Sequence, residues 1–471
     1  MDAVLNGANY NTAVGYDAGT DLTEGDSCTL IGASAGANIT TADKNVCIGE
    51  SSGFYNATGD NNTYVGASAG QGASGQSNTH NTAVGKNALL SVTDGGYNTV
   101  MGVAAGDAIT TGDYNIIMGY NSGSISTDVD KTVIIGVDAG NGALDSDADG
   151  TILIGFAAGA ALTSGQSNVA VGYQALTALT TGDNNTTLGY GAGAALVSGL
   201  NNIAIGASSL AASVDGDNNT AIGYGALSVY EGGDTEGDNT AVGQLAGQFV
   251  STGEDNTFLG SSAGKGITGT RLTGNSNTAV GKGAGLLLQG AANTNTALGY
   301  LSGSAITTGN NNTVVGSSAG DALVDGIMNT IIGSGAGASA TGATNQTLVG
   351  FDCQGIGDNY AVIGDGNTTR VYAADDVGAT LYAGSATVQT SDRRIKEDIK
   401  DSVLGLEFVR QLRAVEYKKR QPEDYDESLK KELSWYKNGR KPRVLDELDK
   451  NKCRTGFIAQ EVGEVLSGMS Y

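Results

Sequence analysis

The chain has 471 residues, 75 of them glycine and two proline, and carries 49 acidic against 25 basic side chains with one histidine. Glycine at this level without a Gly-X-Y period excludes a collagen-like helix, and regularly spaced apolar positions exclude a disordered tail. The acidic surface excludes nucleic acid and anionic membrane as partners of the region that carries it.

From the N-terminus the chain is built on one five-residue unit, first met as Asn11-Thr12-Ala13-Val14-Gly15 and repeated to about residue 364. Its closing glycine recurs at Gly15, Gly32, Gly49 and Gly66, then through Gly172 and Gly189 to Gly333, Gly350 and Gly364. The usual step is about 17 residues, and a short fixed period of this kind predicts a solenoid, one coil of chain per repeat, stacked on its neighbours. The expected fold class is therefore mainly β: a repetitive parallel β-roll or β-solenoid rod over 1–364. About 21 coils at ~4.8 Å spacing would span on the order of 100 Å.

The fourth position of the unit is apolar throughout, and the second is Thr, Val or Ile in all but the last copy, so these two share one face of a strand. The third position, pointing the other way, is also mostly apolar: Ala13, Leu30, Cys47, Tyr64, Ala83, Val100. Both faces are expected to be buried, with the threonines turned inward. A thin coil covers only one face of its strand, so the second apolar face calls for a further layer, most simply other copies of the chain.

The asparagine that opens most units, as in Asn62, Asn81, Asn98, Asn168 and Asn202, is expected to stack on its copies and hold the coils above and below. After the closing glycine comes a segment ending in a small residue and Gly or Leu, as in Ala35-Gly36 and Ala158-Gly159. A polar turn such as Thr180-Thr181-Gly182-Asp183 follows. The longer units place their extra residues in that turn, at 71–80, 228–238 and 265–276, where they leave the strands in register. GxG fragments such as Gly189-Tyr190-Gly191 are by-products of the repeat and bind no dinucleotide. Cys28, Cys47, Cys353 and Cys453 are scattered without CxxC spacing, so no metal site, disulfide framework or cofactor is expected.

The N-T-A-V-G units with intervening T-T-G turns resemble the head repeats of YadA-like trimeric autotransporter adhesins and similar repeats of bacteriophage tail fibres. That resemblance implies an intertwined homotrimer with a left-handed parallel β-roll. Residues 365–390 lose the period while still alternating, and are expected to form a β-rich neck.

The charge balance changes at the C-terminus. Residues 1–390 hold seven Lys or Arg against 33 acids, whereas 391–471 hold 18 against 16, with both prolines and the single tryptophan, Trp435. Ser391-Asp392-Arg393-Arg394-Ile395-Lys396 is the one stretch suited to chemistry: with His80 the sole histidine, Lys396 is the base available to a serine, provided desolvation lowers its pKa. From spacing alone a charged surface loop fits better. Ser391 to Ile399 resembles the S-D-x-R-x-K-x-x-I signature of the intramolecular chaperone domain that ends phage endosialidases and tail fibres. Leu404 to Tyr417 and Gly456-Phe457-Ile458-Ala459-Gln460-Glu461-Val462 match two further parts of that pattern.

The resemblance implies a small α+β domain over 391–471 that assembles three chains and then cuts itself off, with Ser391 as nucleophile, Lys396 as base and Thr390-Ser391 as the scissile bond. Residues 421–452 look like an insertion. The family pattern continues beyond the point where this chain stops, so the domain is expected to be incomplete at its C-terminus.

The expected function is a structural, adhesive phage tail fibre for host attachment, part of the virion tail and made in the bacterial host cytoplasm. Its expected partners are itself and a host cell-surface receptor of glycan or outer-membrane type, without nucleic acid or membrane insertion. It would be at most a single-turnover peptidase acting on itself. The alternatives are a YadA-like bacterial surface adhesin, for which no signal peptide is seen at Met1-Asp2-Ala3, and a glycan-degrading tailspike. The tailspike would need two carboxylates close together in a groove.

Overall fold

Every copy of the five-residue unit becomes a three-residue strand, from Thr12–Val14 to Ala361–Ile363, and the 21 strands form one sheet. The structure, a computed structural model, describes residues 6–233, 237–368, 412, 415–417 and 454–456. The chain divides into two compact units, Met1–Asn367 and Thr368–Tyr471.

Each strand of the first unit pairs in parallel with the next in sequence, position for position: Thr12 with Thr29, Ala170 with Thr187, Leu298 with Val315. This is a parallel β-solenoid. Its period survives the long units because their additions loop out between strands: Thr82 still faces Thr63 across the 71–80 insertion, and Thr278 faces Thr257 across 265–276. The rest of each coil is also bonded to its neighbour, as where Gly19 N–H donates to the Ala35 carbonyl (3.0 Å) and Thr23 N–H to the Thr40 carbonyl (3.0 Å). Backbone groups that a turn leaves unpaired within its own coil are thus satisfied one coil away.

The strands divide their side chains differently from the sequence expectation. The third position points into the coil and is buried from Leu30 to Leu348, so the core is a file of Leu30, Cys47, Tyr64, Ala83, Val100, Ile117 and their successors. The second and fourth positions point out. No residue at either is buried in any of the 21 strands, and Met101, Leu188 and Leu298 are 50%, 49% and 46% exposed. One chain therefore covers one face of its sheet, and the expectation that both faces are buried is corrected for the single chain. The physical reason is the shortness of the coil: once it has closed around one row of side chains, no chain is left to lie over the other. The strand threonines, expected to turn inward, share the outward face; Thr12, Thr82, Thr186 and Thr296 are exposed.

Core volume is balanced between two positions of each coil. Up to the coil of Val314, wherever the third position is large, the residue six places on is glycine in the left-handed region. A Cβ at Gly70 (φ +54) would lie 2.3 Å from Tyr64, and one at Gly264 (φ +54) 2.2 Å from Phe258. Leucine takes that place only in coils whose third position is alanine: Ala83 with Leu89, Ala170 with Leu176, Ala204 with Leu210, Ala221 with Leu227. These leucines are buried and keep the glycine-like backbone, φ +48 to +54. A leucine there costs roughly 1–2 kcal/mol of backbone strain, which burial of its side chain at about 1.5–3 kcal/mol offsets.

Replacing Leu176 by glycine should therefore destabilise the rod by about 1–3 kcal/mol, the cavity cost reduced by relieved strain. Adding Ala170→Leu, which copies the neighbouring Leu153 and Gly159 pair, should recover most of the loss. Thermal melting of the two single variants and the double variant measures the coupling, and purely additive effects would contradict the shared volume.

Candidate functional site

Two regions bear on function: the surface of the solenoid and the C-terminal motif. On the solenoid, most polar groups that could serve chemistry are engaged in holding coils together. The asparagine ladder runs through the interior: Asn202 Oδ1 accepts from Asn219 N–H (2.9 Å) and Asn219 Nδ2 (3.1 Å), while Asn202 Nδ2 donates to the Gly216 carbonyl (2.8 Å). Cys28, Thr132 and Thr151 stand in the same place in other coils; Thr132 Oγ1 donates to Asn115 Oδ1 (2.7 Å). The expected stacking is observed, and from Asn45 onward the ladder asparagines are buried.

A second ladder follows the polar turn. Asp43 Oδ1 accepts from Asp26 N–H (2.7 Å), Asp60 Oδ1 from Asp43 N–H (2.7 Å), and Asp113, Asp130 and Asp149 repeat the pattern. Asparagine replaces aspartate further along, where Asn310 Oδ1 accepts from Asn293 N–H (2.6 Å). These turn carboxylates are therefore backbone acceptors set one coil apart, not a pair held across a groove. Asp107 differs: its Oδ1 is buried without a hydrogen-bond partner, and burial raises its carboxyl above the usual range. No neighbouring carboxylate contributes to that rise, as the second member of a catalytic pair would.

Burial holds the Cys28 and Cys47 thiols protonated. Cys28 and Cys47 have their pKa values raised, first by desolvation, and Cys28, Cys47 and Cys353 are free and buried. Among the described residues no group of three or more His, Cys, Asp or Glu side chains is placed to hold a metal ion, and no helix is long and apolar enough to cross a membrane.

The outward surface carries two short aromatic stacks. His80, Tyr97 and Tyr114 precede the strand in consecutive coils, with ring centroids 4.7 and 4.9 Å apart and planes within 9°. Phe156, Tyr173 and Tyr190 follow the closing glycine in consecutive coils, at 5.1 and 5.2 Å. The spacing is that of the strands, so each ring lies flat against the next and presents its edge outward. The insertions at 228–238 and 265–276 are joined across the coil between them by Arg271 and Glu231 (2.6 Å), an exposed ion pair of small energetic weight.

In the C-terminal unit, Thr390, Ser391 and Lys396 lie outside the described residues, as do 369–390 of the expected neck and the whole of the 421–452 insertion. Two strands are described: Val415–Tyr417 pairs antiparallel with Arg454–Gly456, setting Val415 opposite Gly456 and Tyr417 opposite Arg454. The end of the Leu404–Tyr417 segment and the start of the Gly456–Val462 segment, matched separately in the sequence, are thereby neighbours.

A search of curated proteins finds no match to the chain. Residues 391–469 match the family model described as the chaperone of endosialidase, Peptidase_S74, and in the sequence this match lies on the C-terminal side of the 21-coil β-solenoid.

Proposed function

We propose that the protein is a structural, adhesive fibre of a phage tail, a homotrimer whose solenoid reaches toward a host cell-surface receptor and whose C-terminal domain directs assembly before releasing itself. The observation that carries this reading is the order of parts: an endosialidase-chaperone match beginning at residue 391, on the C-terminal side of a long coil stack. Such a stack has a specific folding problem. Strands of three residues form no stable nucleus alone, and every pairing spans a whole coil, so the entropy of closing each coil is lost before contacts compensate. A template at one end, acting on several chains at once, lowers that barrier. Its removal afterwards leaves the product kinetically trapped.

In the release step, Lys396 takes the proton of Ser391 Oγ, and the oxygen adds to the carbonyl carbon of Thr390. The Thr390-Ser391 C–N bond breaks, and the proton passes to the departing amine of Ser391. The resulting ester between the Thr390 acyl group and Ser391 Oγ is then hydrolysed by water, which yields a carboxylate at Thr390 and regenerates the hydroxyl. The substrate is the chain itself, and each domain turns over once.

Expression of the wild type beside Ser391→Ala and Lys396→Ala tests this. Denaturing electrophoresis should show a wild-type band shortened by the segment from Ser391 to Tyr471, with both variants at full length. Full-length bands in all three would remove the self-processing step. A wild-type sedimentation mass of one chain would remove the fibre reading as a whole.

A further inference from the structure

The outward face of the solenoid has a composition that a solvent-facing surface would not keep. Over 21 strands the fourth position is always Val, Ile, Leu or Met, and the second is Thr, Val, Ile or Ala. Neither position carries a charge in any coil, although acids outnumber bases almost five to one in residues 1–390 and occupy the turns of the same coils. Buried third positions alternate with these outward ones, so the two rows form a continuous apolar stripe one strand wide. The aromatic stacks widen it: Tyr97 and Tyr114 lie just before the strand, Tyr173 and Tyr190 just after the closing glycine, all exposed.

Two partly exposed side chains per coil, threonine hydroxyls included, amount to roughly 2,000 Å² of uncharged surface, against about 300–600 Å² for the largest apolar patch of a typical monomer and about 800 Å² for one side of a standard interface. A cover for this stripe must be as long as the sheet, match its rise per strand and be free of charge along the contact. A second copy of the same stripe has all three properties, and its turns, where the acids lie, would stay in water.

We propose that this stripe of second- and fourth-position side chains, flanked by the aromatic stacks, is the surface on which copies of the chain meet, in parallel and with equivalent coils level. The proposal deepens the fibre reading and rests on it for the number of copies. It also assigns the opposite side: the polar turns and the insertions at 228–238 and 265–276 face outward and are the surface open to a receptor. Parallel, level copies place each fourth-position side chain near its own counterpart, while the like-charged turns are kept apart.

Single cysteines report the arrangement in the full chain. In a Cys453→Ser background, Met101→Cys in the sixth strand and Leu298→Cys in the seventeenth are compared with Thr181→Cys, exposed in a turn. Each is treated with a short bismaleimide after the oligomer has been sized by sedimentation. The native Cys28, Cys47 and Cys353 are buried, so the background variant should give no product. Cross-linked chains from Met101→Cys alone and from Leu298→Cys alone, with none from Thr181→Cys, are expected.

An oligomer that cross-links through Thr181→Cys and through neither stripe position overturns the assignment of the face while leaving the fibre reading intact. Cross-linking only when the two stripe variants are mixed overturns the parallel arrangement. A monomeric background protein overturns this inference together with the fibre reading.

Discussion

Replacing Gly172 by alanine is expected to break the coil stack locally and lower its stability by about 2–6 kcal/mol, the sum of backbone strain and overpacking. The closing glycines sit at φ +125 to +149 in all but the last coil, and each lies over the next. A Cβ at Gly172 (φ +145) would meet the Gly189 carbonyl oxygen at 2.3 Å and its carbon at 2.7 Å, backbone atoms that cannot swing aside. Moving them displaces Gly189 against Gly206, so the disturbance passes along the column. Because each coil packs almost wholly on its two neighbours, a defect here should divide one cooperative transition into two and open the chain to protease near the substituted coil.

Gly191→Ala in the following coil is the comparison. Its φ is also positive (+58), yet nothing lies within 4 Å of the added carbon. It should cost only about 1–2 kcal/mol from strain. Calorimetric melting that finds the two variants equal would show that the clash contributes nothing.

Asn202→Ala is the second large effect, expected at about 3–5 kcal/mol from the bonds it leaves unmade. The amide is fully buried and serves both adjoining coils: besides its bonds to Asn219 and Gly216, its Nδ2 reaches Asn185 Oδ1 (3.1 Å). Truncation leaves the Asn219 N–H without the acceptor it uses and the Gly216 carbonyl without its donor, and each buried orphan costs about 1–3 kcal/mol. Asn202→Thr should cost clearly less, because threonine occupies this place at Thr132 and Thr151, and Thr132 hydrogen-bonds its neighbour through Oγ1. Chemical denaturation of the two variants separates them; an alanine variant no weaker than the threonine one would mean that water enters the ladder and replaces the amide.

Much of this was legible from residue order. The positions of all 21 strands, their parallel register, the stacked asparagines and the confinement of additions to turns follow from the period. A fixed period forces equivalent residues one above another whatever the path of the coil. The C-terminal motif was legible for a different reason: Ser391 to Ile399 and Gly456 to Val462 are local strings whose spacing is itself the signal, and the family model covers both.

Other features were hidden, and each depends on how a coil closes. Alternation shows that a strand has two faces and cannot say which is inside when both are apolar. The third position was expected to be covered by a further layer of chain, and the structure buries Leu30, Tyr64 and Phe258 inside the chain's own coil instead. Leu176 at φ +49 was equally hidden, since nothing near it in the chain accounts for a leucine where other coils have glycine; the reason is the space above Ala170. Residue order thus sufficed for the repeat, its register and the groups that tie coil to coil, because these are relations between like residues at a constant interval. Which apolar row fills the coil and which is left outside was settled only in three dimensions, because it depends on the direction in which each coil curls around its short strand.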